Sequence, residues 1–563
     1  MPPAIPTITI SSSLGAAVVV FTAGEPTKVL GLEVFVVLWA AQFVTWGFWY
    51  MFIYPFFISP LRKLPTPRGW RNSHKLLEAE PRVFSKLMPS NRIAETANEG
   101  FIRIYGAFHR EYLIVTSPQA LGEVLVSKAY EFEKPPTIRG FFGPVLGHGL
   151  VLAEGHDHKV QRRNLMPAFA FRHIKDLYPL FWRKTCDVVQ VMAKECDADG
   201  YAEFEVGHWA GRVSLDIIGV ADLGRDFNAT HNEDDEIVKT YMLITTPTMQ
   251  DRLLLVMADF LTAFVPMSIL LHSPIPRAIE AKGAAKKIRD VCKDVIRLKR
   301  QKLADSKLED VDILSIALRS GMFSEEELIN HMMTFLGAGH ETTASALSFA
   351  IYAMCRHPEV QTRLRQEVRA NLPPPVGDDG REITSMEIDR LPYLAAVCSE
   401  VLRMYSPVPQ TIRETVRDTT IQGQPLPRGT RLLLVPWATN LDTRFWGSDG
   451  GEFKPERWLV ARGGGDDEDD GLGGRAASVK AASVGGASSN YVFLSFLHGP
   501  RSCIGQSFAK AEFACLLAAW VGRFEFALRD EAMMDEANVM FEQMVTAKVA
   551  GGIHVRARAV PGW

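Results

Sequence analysis

Phe496-Leu497-His498-Gly499-Pro500-Arg501-Ser502-Cys503-Ile504-Gly505 is the stretch from which the fold and chemistry of this chain are predicted. A lone cysteine stands between two glycines, and glycine lets the backbone turn tightly and bring N–H groups close to a neighbouring atom. The residues from Ile504 to Phe524 predict a helix, whose positive N-terminal end would stabilise a thiolate. This stretch, the cysteine loop, is therefore predicted to present one thiolate surrounded by backbone amides.

Such a thiolate is suited to bind haem iron. An axial cysteine pushes electron density through the metal and favours cleavage of an O–O bond, and hydrogen bonds from the glycine-flanked backbone would tune the sulfur. Arg501 is expected to pair with a haem propionate, because a guanidinium binds a carboxylate through a planar fork. The alternative is a buried, inert cysteine in a glycine-containing turn.

A second motif, Ala338-Gly339-His340-Glu341-Thr342-Thr343, lies in the middle of a helix predicted from Ser324 to Cys355. Gly339 would let a flat ligand approach the helix, and the hydroxyl of Thr342 would bond back to the carbonyl four residues earlier. If that turn loosens, Thr342 and Glu341 could relay protons to dioxygen as general acids. The alternative is a glycine kink with a back-bonded threonine in an ordinary core helix.

In this order, the two motifs resemble the oxygen-activation helix and the cysteine-ligand loop of the cytochrome P450 family of haem-thiolate monooxygenases. The resemblance extends from about Leu61 to the C-terminus. It implies the cytochrome P450 fold, which is mainly α with minor β-sheets, and haem b with Cys503 as its iron ligand. It also implies a set of residues that contact the haem: His158, Arg162, Gly339, Arg413, Phe496, Arg501 and Gly505.

The propionate contacts in this set come from three places. Residues 155–163 resemble the family's propionate-binding helix, in which Arg162 would bind a propionate. A tryptophan common in that pattern is His158 here; histidine can still donate to a propionate, and a surface histidine is the alternative. Arg413, which follows Pro407-Val408-Pro409, resembles a further propionate contact.

A structural triad is also implied by the resemblance. Glu400 and Arg403 share one face of a predicted helix and can form an ion pair. Arg457 lies in the later run Phe453-Lys454-Pro455-Glu456-Arg457-Trp458. In the family such residues hold the region behind the haem, so their implied role is folding and haem retention rather than catalysis.

Periodicity predicts a mostly helical domain. The expected helices are Ile174–Lys194, Val213–Ala221, Ala284–Leu303, Ser324–Cys355, Pro358–Ala370 and Tyr393–Tyr405, and the expected strands are Phe101–Tyr105, Tyr112–Thr116, Thr430–Val435 and Ile553–Arg558. Residues 463–490 combine an acidic block with Gly, Ala and Ser, which predicts a solvated, flexible insertion.

The N-terminal region predicts one transmembrane helix. No charged residue occurs from Val34 to Leu61, and about 20 apolar residues suffice to span a bilayer. Basic residues follow this stretch, which places the rest of the chain in the cytosol. We therefore expect a lumenal segment at 1–33, a transmembrane helix at 34–58, a Pro-rich linker at 59–70 and the haem domain at 71–563. A buried core helix is the alternative.

Composition excludes some classes of function. The chain has 563 residues and a net charge of -3, which leaves no basic footprint for binding nucleic acid. Its seven cysteines are scattered without a disulfide framework, as suits a reducing compartment.

The resemblance implies a membrane-anchored monooxygenase that inserts one oxygen atom of O2 into a lipophilic substrate. The linker and motif spelling are similar to fungal microsomal members, which implies the endoplasmic reticulum and a tailoring step in secondary metabolism. No flavin domain or dinucleotide fingerprint is evident, so electrons from NADPH would come through a separate flavoprotein reductase, with cytochrome b5 left open as a second donor. Two alternatives stay open: a peroxide-using isomerase or dehydratase, and a non-catalytic haem sensor.

By analogy with the family, apolar residues should line the substrate pocket. The expected lining is Pro136–Leu146, Thr246–Leu270, Phe335, Leu336, Ala338, Val408–Ile412 and Thr546–Ala550.

Overall fold

The computed structural model describes most of the chain. The described residues are 4–22, 28–67, 96–106, 109–232, 236–245, 276–305, 312–375, 381–461, 479–481, 485–543 and 545–563, with the single residues 248, 250, 257 and 310. The predicted linker therefore lies partly, and the pocket segment Thr246–Leu270 almost wholly, outside the described residues.

From residue 96 onward the chain is mainly helical, as predicted. Its α-helices are Pro118–Gly122, Pro136–Leu146, Gly155–Leu165, Phe171–Lys175, Tyr178–Lys194, Val206–Ile218, Glu236–Thr245, Pro276–Ala304, Ile313–Ser320, Glu325–Arg356, Pro358–Asn371, Ser385–Asp389, Pro392–Met404, Pro436–Thr439, Thr443–Trp446 and Gln506–Arg523. Short π-helical turns, Glu123–Ser127 and Gly219–Leu223, extend two of them.

The strands form small sheets at the edge of the helical body. Five strands pair in the order Phe101–Tyr105, Glu111–Val115, Arg431–Leu434, Thr411–Thr415 and Phe132–Glu133. A three-stranded sheet has the order Phe524–Leu528, His554–Ala559 and Tyr201–Glu205. Three two-stranded ribbons are Thr419–Ile421 with Gln424–Leu426, Leu459–Ala461 with Val479–Ala481, and Phe541–Gln543 with Ala547–Val549.

The central helix, Glu325–Arg356, runs through the middle of the core. Ser324 caps it through a reciprocal pair of hydrogen bonds with Glu327, as the sequence predicted. Along most of its length the side chains are buried, and it packs against Val206–Ile218 on one side and the cysteine-loop helix, Gln506–Arg523, on another. This packing places the central helix and the cysteine loop on two walls of one cavity.

One helix predicted from the sequence is divided in the structure. The segment predicted as one helix over Ile174–Lys194 is two helices, Phe171–Lys175 and Tyr178–Lys194, because Pro179 starts a new helix near its first turn. Most of the predicted insertion, residues 463–478 and 482–484, lies outside the described residues; within it Val479–Ala481 pairs with Leu459–Ala461 as a strand, and its flexibility stays a prediction.

The N-terminus also differs from the prediction. The apolar stretch Gly31–Ile58 is long enough to cross a membrane. It consists of an α-helix, Lys28–Phe48, and a π-helical segment, Trp49–Ile58. A further helix, Ala4–Thr22, lies in the part predicted only as a lumenal segment, and it packs against Lys28–Phe48.

Candidate functional site

The cysteine loop has the tight backbone that its glycines predicted, but only one of them requires glycine. Gly499 has φ +73°, and a Cβ there would lie 2.1 Å from the carbonyl oxygen of Leu125. Gly505 has φ -87°, and a Cβ there would approach nothing in the protein closer than 3.8 Å. Its contribution is the backbone N–H, which forms a hydrogen bond to Cys503.

Cys503 itself lies on the wall of a cavity of about 330 Å³. The backbone N–H of Cys503 donates to the carbonyl of Phe496 at 2.9 Å, which closes the loop. Burial raises the pKa of the thiol, whereas the Gly505 N–H and the charge of Arg162 act in the opposite direction. All seven cysteines are free, so Cys503 is not held in a disulfide.

The central helix forms the other wall of this cavity. Thr342 and Gly339 both line it, and the Thr342 hydroxyl donates to the carbonyl of Ala338 at 2.7 Å, as predicted. The helix is continuous through this turn. A Cβ on Gly339 would lie 2.7 Å from Cδ1 of Ile218, so glycine here also permits close packing between two helices.

Glu341, the second predicted proton-relay residue, is not among the residues that line the cavity. Its carboxylate forms an ion pair with Lys548 at 2.8 Å, and the two side chains are 16% and 46% exposed. Lys548 belongs to the ribbon strand Ala547–Val549. The acid of the motif therefore faces a surface cation rather than the space beside Thr342.

One end of the cavity is rich in cations. We call Lys134, Arg162, Arg413 and Arg501 the cation cluster; all four line the cavity. The carboxylate of Glu154 contacts Arg501 and lies 3.8 Å from Lys134 Nζ. Burial and the neighbouring guanidinium of Arg413 lower the pKa of Lys134 to about 7, and burial, aided by Arg501, lowers that of Arg413 to about 10. Within the described part of the chain, Glu154 is the carboxylate that offsets these charges; the side chains of Arg413 and Arg501 are buried and those of Lys134 and Arg162 are half-buried.

The side chain of Arg501 has too few hydrogen-bond acceptors around it. Its Nε and both Nη atoms are buried and have no well-formed hydrogen bond, although the group touches Glu154. Buried guanidinium groups normally bind acceptors, so further acceptors are needed here. Two carboxylates at this end of the cavity would satisfy both the charge and the donors, and the propionates of a haem fit that requirement.

Arg162 and His158 meet the cavity from the helix Gly155–Leu165. Arg162 donates from Nη1 to the carbonyl of Ser502 at 2.6 Å, which braces the residue before Cys503. His158 is buried, so the surface alternative is wrong, and its Nδ1 lies 3.2 Å from the hydroxyl of Tyr130. Burial and the cation cluster lower the pKa of His158 to about 4, which leaves a neutral ring that can still donate from Nε2.

The predicted triad forms a single buried cluster. Glu400 accepts from Arg403 Nε at 2.8 Å, Arg403 Nη2 at 2.7 Å and Arg457 Nε at 3.0 Å. The Trp458 indole and the Lys454 backbone N–H add two donors at 2.8 Å each. We call these five residues the Glu400 cluster.

Asn440 connects this cluster to the cysteine loop. Its amide donates to the carbonyl of Arg403 at 3.1 Å and to the hydroxyl of Ser495 at 3.0 Å, and its oxygen accepts from Leu494 N–H at 2.8 Å. This role could not be predicted from the sequence, because a single asparagine after a short helix has no distinctive pattern.

Other residues of the site were also missed. Lys134 follows the two-residue strand Phe132–Glu133, and its only sequence signal is a lysine before two prolines. Glu512 is fully buried on the cysteine-loop helix, and the hydroxyl of Thr343 donates to it at 2.9 Å. Burial raises the pKa of Glu512 to about 8, so this acid is neutral at neutral pH.

The predicted pocket lining is present in part. Phe335, Ala338, Val408 and Thr411 line the cavity, and Phe496 lines it from the cysteine loop. The described lining includes no residue of Pro136–Leu146 or of Thr546–Ala550, and it omits Leu336. These absences concern only the part of the chain that the structure describes.

Comparisons with known proteins agree with this geometry. The family model described as Cytochrome P450 matches residues 86–549. The chain is 42% identical to the cytochrome P450 monooxygenase sphH of Aspergillus fumigatus, over 91% of each chain. It is 40% identical to the cytochrome P450 monooxygenase FUM15 of Gibberella moniliformis, over 91% of this chain and 90% of that one. It is 39% identical to the cytochrome P450 monooxygenase buaD of Petromyces alliaceus, over 94% of each.

Proposed function

The chain belongs to the cytochrome P450 family of oxygen-incorporating haem enzymes, and on that premise we propose that it oxygenates a lipophilic substrate in a fungal secondary-metabolite pathway. The observation that carries this proposal is that Cys503 and Thr342, from two distant parts of the sequence, line one cavity. The cation cluster lies at one end of that cavity, where a haem would place its carboxylates.

Each group of residues has a separate task in this proposal. A bound haem supplies dioxygen activation. Cys503 is the iron ligand, the Gly505 N–H and Arg162 stabilise its thiolate, and the cation cluster orients the cofactor. Thr342 presents its Oγ1 beside the cavity: its own proton is donated to the Ala338 carbonyl, which leaves the oxygen free to accept a hydrogen bond and so to hold a proton donor in the cavity in place.

The remaining lining favours an apolar substrate. The cavity is bordered by the side chains of Leu150, Val151, Phe169, Ile218, Ile313 and Phe335. Apolar walls bind a ligand by removing its surface from water, and only a few polar groups then fix its orientation.

We also propose that the enzyme is anchored in the endoplasmic reticulum membrane with its catalytic domain in the cytosol. The stretch Gly31–Ile58 is apolar. In its most apolar 18-residue segment 6% of the residues are buried, whereas a core helix is mostly buried. Arg62 and Lys63 follow it on the cytosolic side, in keeping with the positive-inside rule. A membrane-bound NADPH-dependent flavoprotein reductase would then supply electrons.

The proton role can be tested with a matched pair of variants. The Ser348 hydroxyl makes the same back-bond as Thr342, donating to Ala344 at 2.8 Å, but Ser348 does not line the cavity. In microsomes with reductase and NADPH, we expect Thr342→Ala to lower product formed per NADPH about tenfold or more and to release peroxide instead. Ser348→Ala should leave this ratio unchanged.

Haem content and the CO-bound spectrum of the reduced protein are measured in parallel. Both should be unchanged in Thr342→Ala, because Thr342 belongs neither to the cysteine loop nor to the cation cluster. Equal coupling in both variants would refute the proton role of Thr342. Product formation without NADPH and reductase would refute the monooxygenase proposal and favour peroxide-driven chemistry.

A further inference from the structure

The N-terminal helix Ala4–Thr22 has the surface of a membrane helix. None of its 19 residues is charged, and the side chains of Ile10, Leu14, Val18 and Phe21 are between 62% and 90% exposed. Such an apolar face is unfavourable in water. At 1.5 Å per residue the helix is about 28 Å long, close to the ~30 Å of a hydrocarbon core.

Its other face is paired with the helix Lys28–Phe48 through polar side chains. Ser11 Oγ donates to Gln42 Oε1 at 2.6 Å, and Gln42 Nε2 donates to Ser12 Oγ at 3.2 Å. Trp39 Nε1 donates to Thr9 Oγ1 at 3.2 Å. Lipid offers no partner to such groups, so hydrogen bonds between the helices are the arrangement that a bilayer favours.

The two helices also approach closely at a small residue. A Cβ on Gly15 would lie 2.8 Å from Cδ1 of Leu38, and Ser12 is completely buried between the helices. Small residues at helix crossings are typical of packing inside membranes, where apolar burial alone gives no driving force.

The C-terminal part of the apolar stretch, Trp49–Ile58, packs against the catalytic domain. The carbonyl of Pro55 accepts from Arg103 Nη1 at 3.2 Å, and the ring of Phe56 lies 5.4 Å from that of Tyr105. Both partners lie on the strand Phe101–Tyr105. The part left to cross the bilayer is Lys28–Phe48, which has 21 residues against 19 in Ala4–Thr22; its two charged residues, Lys28 and Glu33, lie in its first two turns.

We propose that the membrane anchor is a hairpin of two spanning helices, Ala4–Thr22 and Lys28–Phe48. This inference rests on the membrane anchoring proposed above and changes its topology. The N-terminus lies on the cytosolic side with the catalytic domain, and the facing helix ends, Thr22 and Lys28, lie towards the lumen. Trp49–Ile58, rich in aromatic residues, lies at the cytosolic interface, where such residues concentrate.

Glycosylation mapping of the full-length chain in microsomes tests this topology. One variant carries a polar N-terminal extension with an Asn-x-Ser/Thr acceptor, and a second carries the same acceptor segment inserted after Gly24. An acceptor is glycosylated only in the lumen. The hairpin predicts that the inserted segment is modified and the N-terminal extension is not.

The other outcomes separate the two proposals. Modification of both segments would show a single spanning helix with a lumenal N-terminus, which overturns the hairpin and keeps the anchor. Modification of neither segment would show that the N-terminal end of Lys28–Phe48 is not in the lumen. Both the proposed membrane anchor and the hairpin would then be wrong. Modification of the extension alone would reverse the whole topology and overturn both.

Cysteine cross-linking tests the pairing of the helices independently. The first native cysteine is Cys186, so introduced pairs near the N-terminus can be assigned. The double variant Ser12→Cys with Gln42→Cys should form a disulfide under mild oxidation. A protease site inserted after Gly24 allows cleavage between the helices, and a disulfide is detected when the two fragments stay linked after cleavage. The control pair, Ser12→Cys with Val37→Cys, uses a residue that is 65% exposed and should not cross-link. Equal cross-linking of both pairs, or of neither, would overturn the packed hairpin.

Discussion

Replacing Glu400 by glutamine gives the sharpest test of how the region around the cysteine loop is held. The side chain is completely buried and accepts five hydrogen bonds, three of them from the guanidinium groups of Arg403 and Arg457. Glutamine has nearly the same size but no charge, and its NH2 group must face at least one of these donors. The substitution therefore removes the buried counter-ion of Arg403 and one of the two carboxylates that Arg457 contacts, the other being Asp449, while changing the packing very little.

The expected loss of stability follows from the burial of the cluster. Removing one partner of a buried ion pair costs about 3–5 kcal/mol, because the remaining charge is left desolvated. That corresponds to roughly a hundredfold to several-thousandfold fall in the ratio of folded to unfolded protein at 1.36 kcal/mol per tenfold. Since domains are stable by only about 5–15 kcal/mol, much of the margin would be lost.

Glu456→Gln is the matched control. Glu456 also pairs with an arginine, Arg363, at 2.6 Å, but the two side chains are 44% and 52% exposed. An exposed pair contributes about 0–1 kcal/mol. Urea unfolding midpoints and haem content per chain should fall clearly for Glu400→Gln and stay near wild type for Glu456→Gln. Equal midpoints and haem contents in the two variants would refute the assignment of the Glu400 cluster as the support of this region.

Three further predictions concern the cysteine loop and its helix. Cys503→Ser should keep the fold, measured by circular dichroism, but lose the thiolate-type spectrum of the reduced, CO-bound protein. Gly499→Ala should lower the free energy of unfolding by more than the about 1–2 kcal/mol that a left-handed alanine costs, because its Cβ would also clash with the carbonyl oxygen of Leu125. Gly429 has φ +83° and open space around it, so Gly429→Ala should show only the backbone cost. Urea unfolding measures both. Glu512→Gln should remove a pH dependence of the free energy of unfolding. In the wild type the folded state keeps a proton on Glu512 that the unfolded state loses as the pH rises. The free energy of unfolding of the wild type should therefore fall, relative to the variant, by about 1.4 kcal/mol per pH unit between roughly pH 4.5 and 8.

Each of these three predictions would be refuted by a specific result. A wild-type spectrum in Cys503→Ser would exclude this residue as the ligand. Equal urea midpoints for Gly499→Ala and Gly429→Ala would mean that the contact with Leu125 is relieved at no cost. Parallel stability curves for wild type and Glu512→Gln across that pH range would mean that Glu512 ionises in the folded protein.

The sequence was informative where a function fixes residue types at short spacings. The cysteine loop, the back-bond of Thr342 and the pairing of Glu400 with Arg403 are each defined within a few residues, and the structure places them as expected. The central helix was predicted to within one residue at each end, because Ser324 provides a capping box.

The sequence was uninformative where chemistry depends on contacts between distant segments. Lys134, Asn440 and Glu512 have ordinary local patterns, and they acquire their roles only when other elements pack against them. The partner of Glu341 was missed for the same reason, since Lys548 is far away in the sequence. The N-terminal helix was overlooked because Thr and Ser interrupt its apolar pattern, and those residues are the ones that bond to Gln42 and Trp39.

The cation cluster has a consequence for how much of this protein a cell can maintain. The cations of this cluster, with Glu154 as their carboxylate partner among the described residues, repel one another, and a cofactor that brings two acids relieves this repulsion only in the folded chain. Any ligand that binds only the native state adds to its stability, by about 2.7 kcal/mol when the free ligand is at a hundred times its dissociation constant. We therefore expect haem supply to set the lifetime and abundance of the chain as well as its activity, so that haem-starved cells degrade the polypeptide instead of storing it.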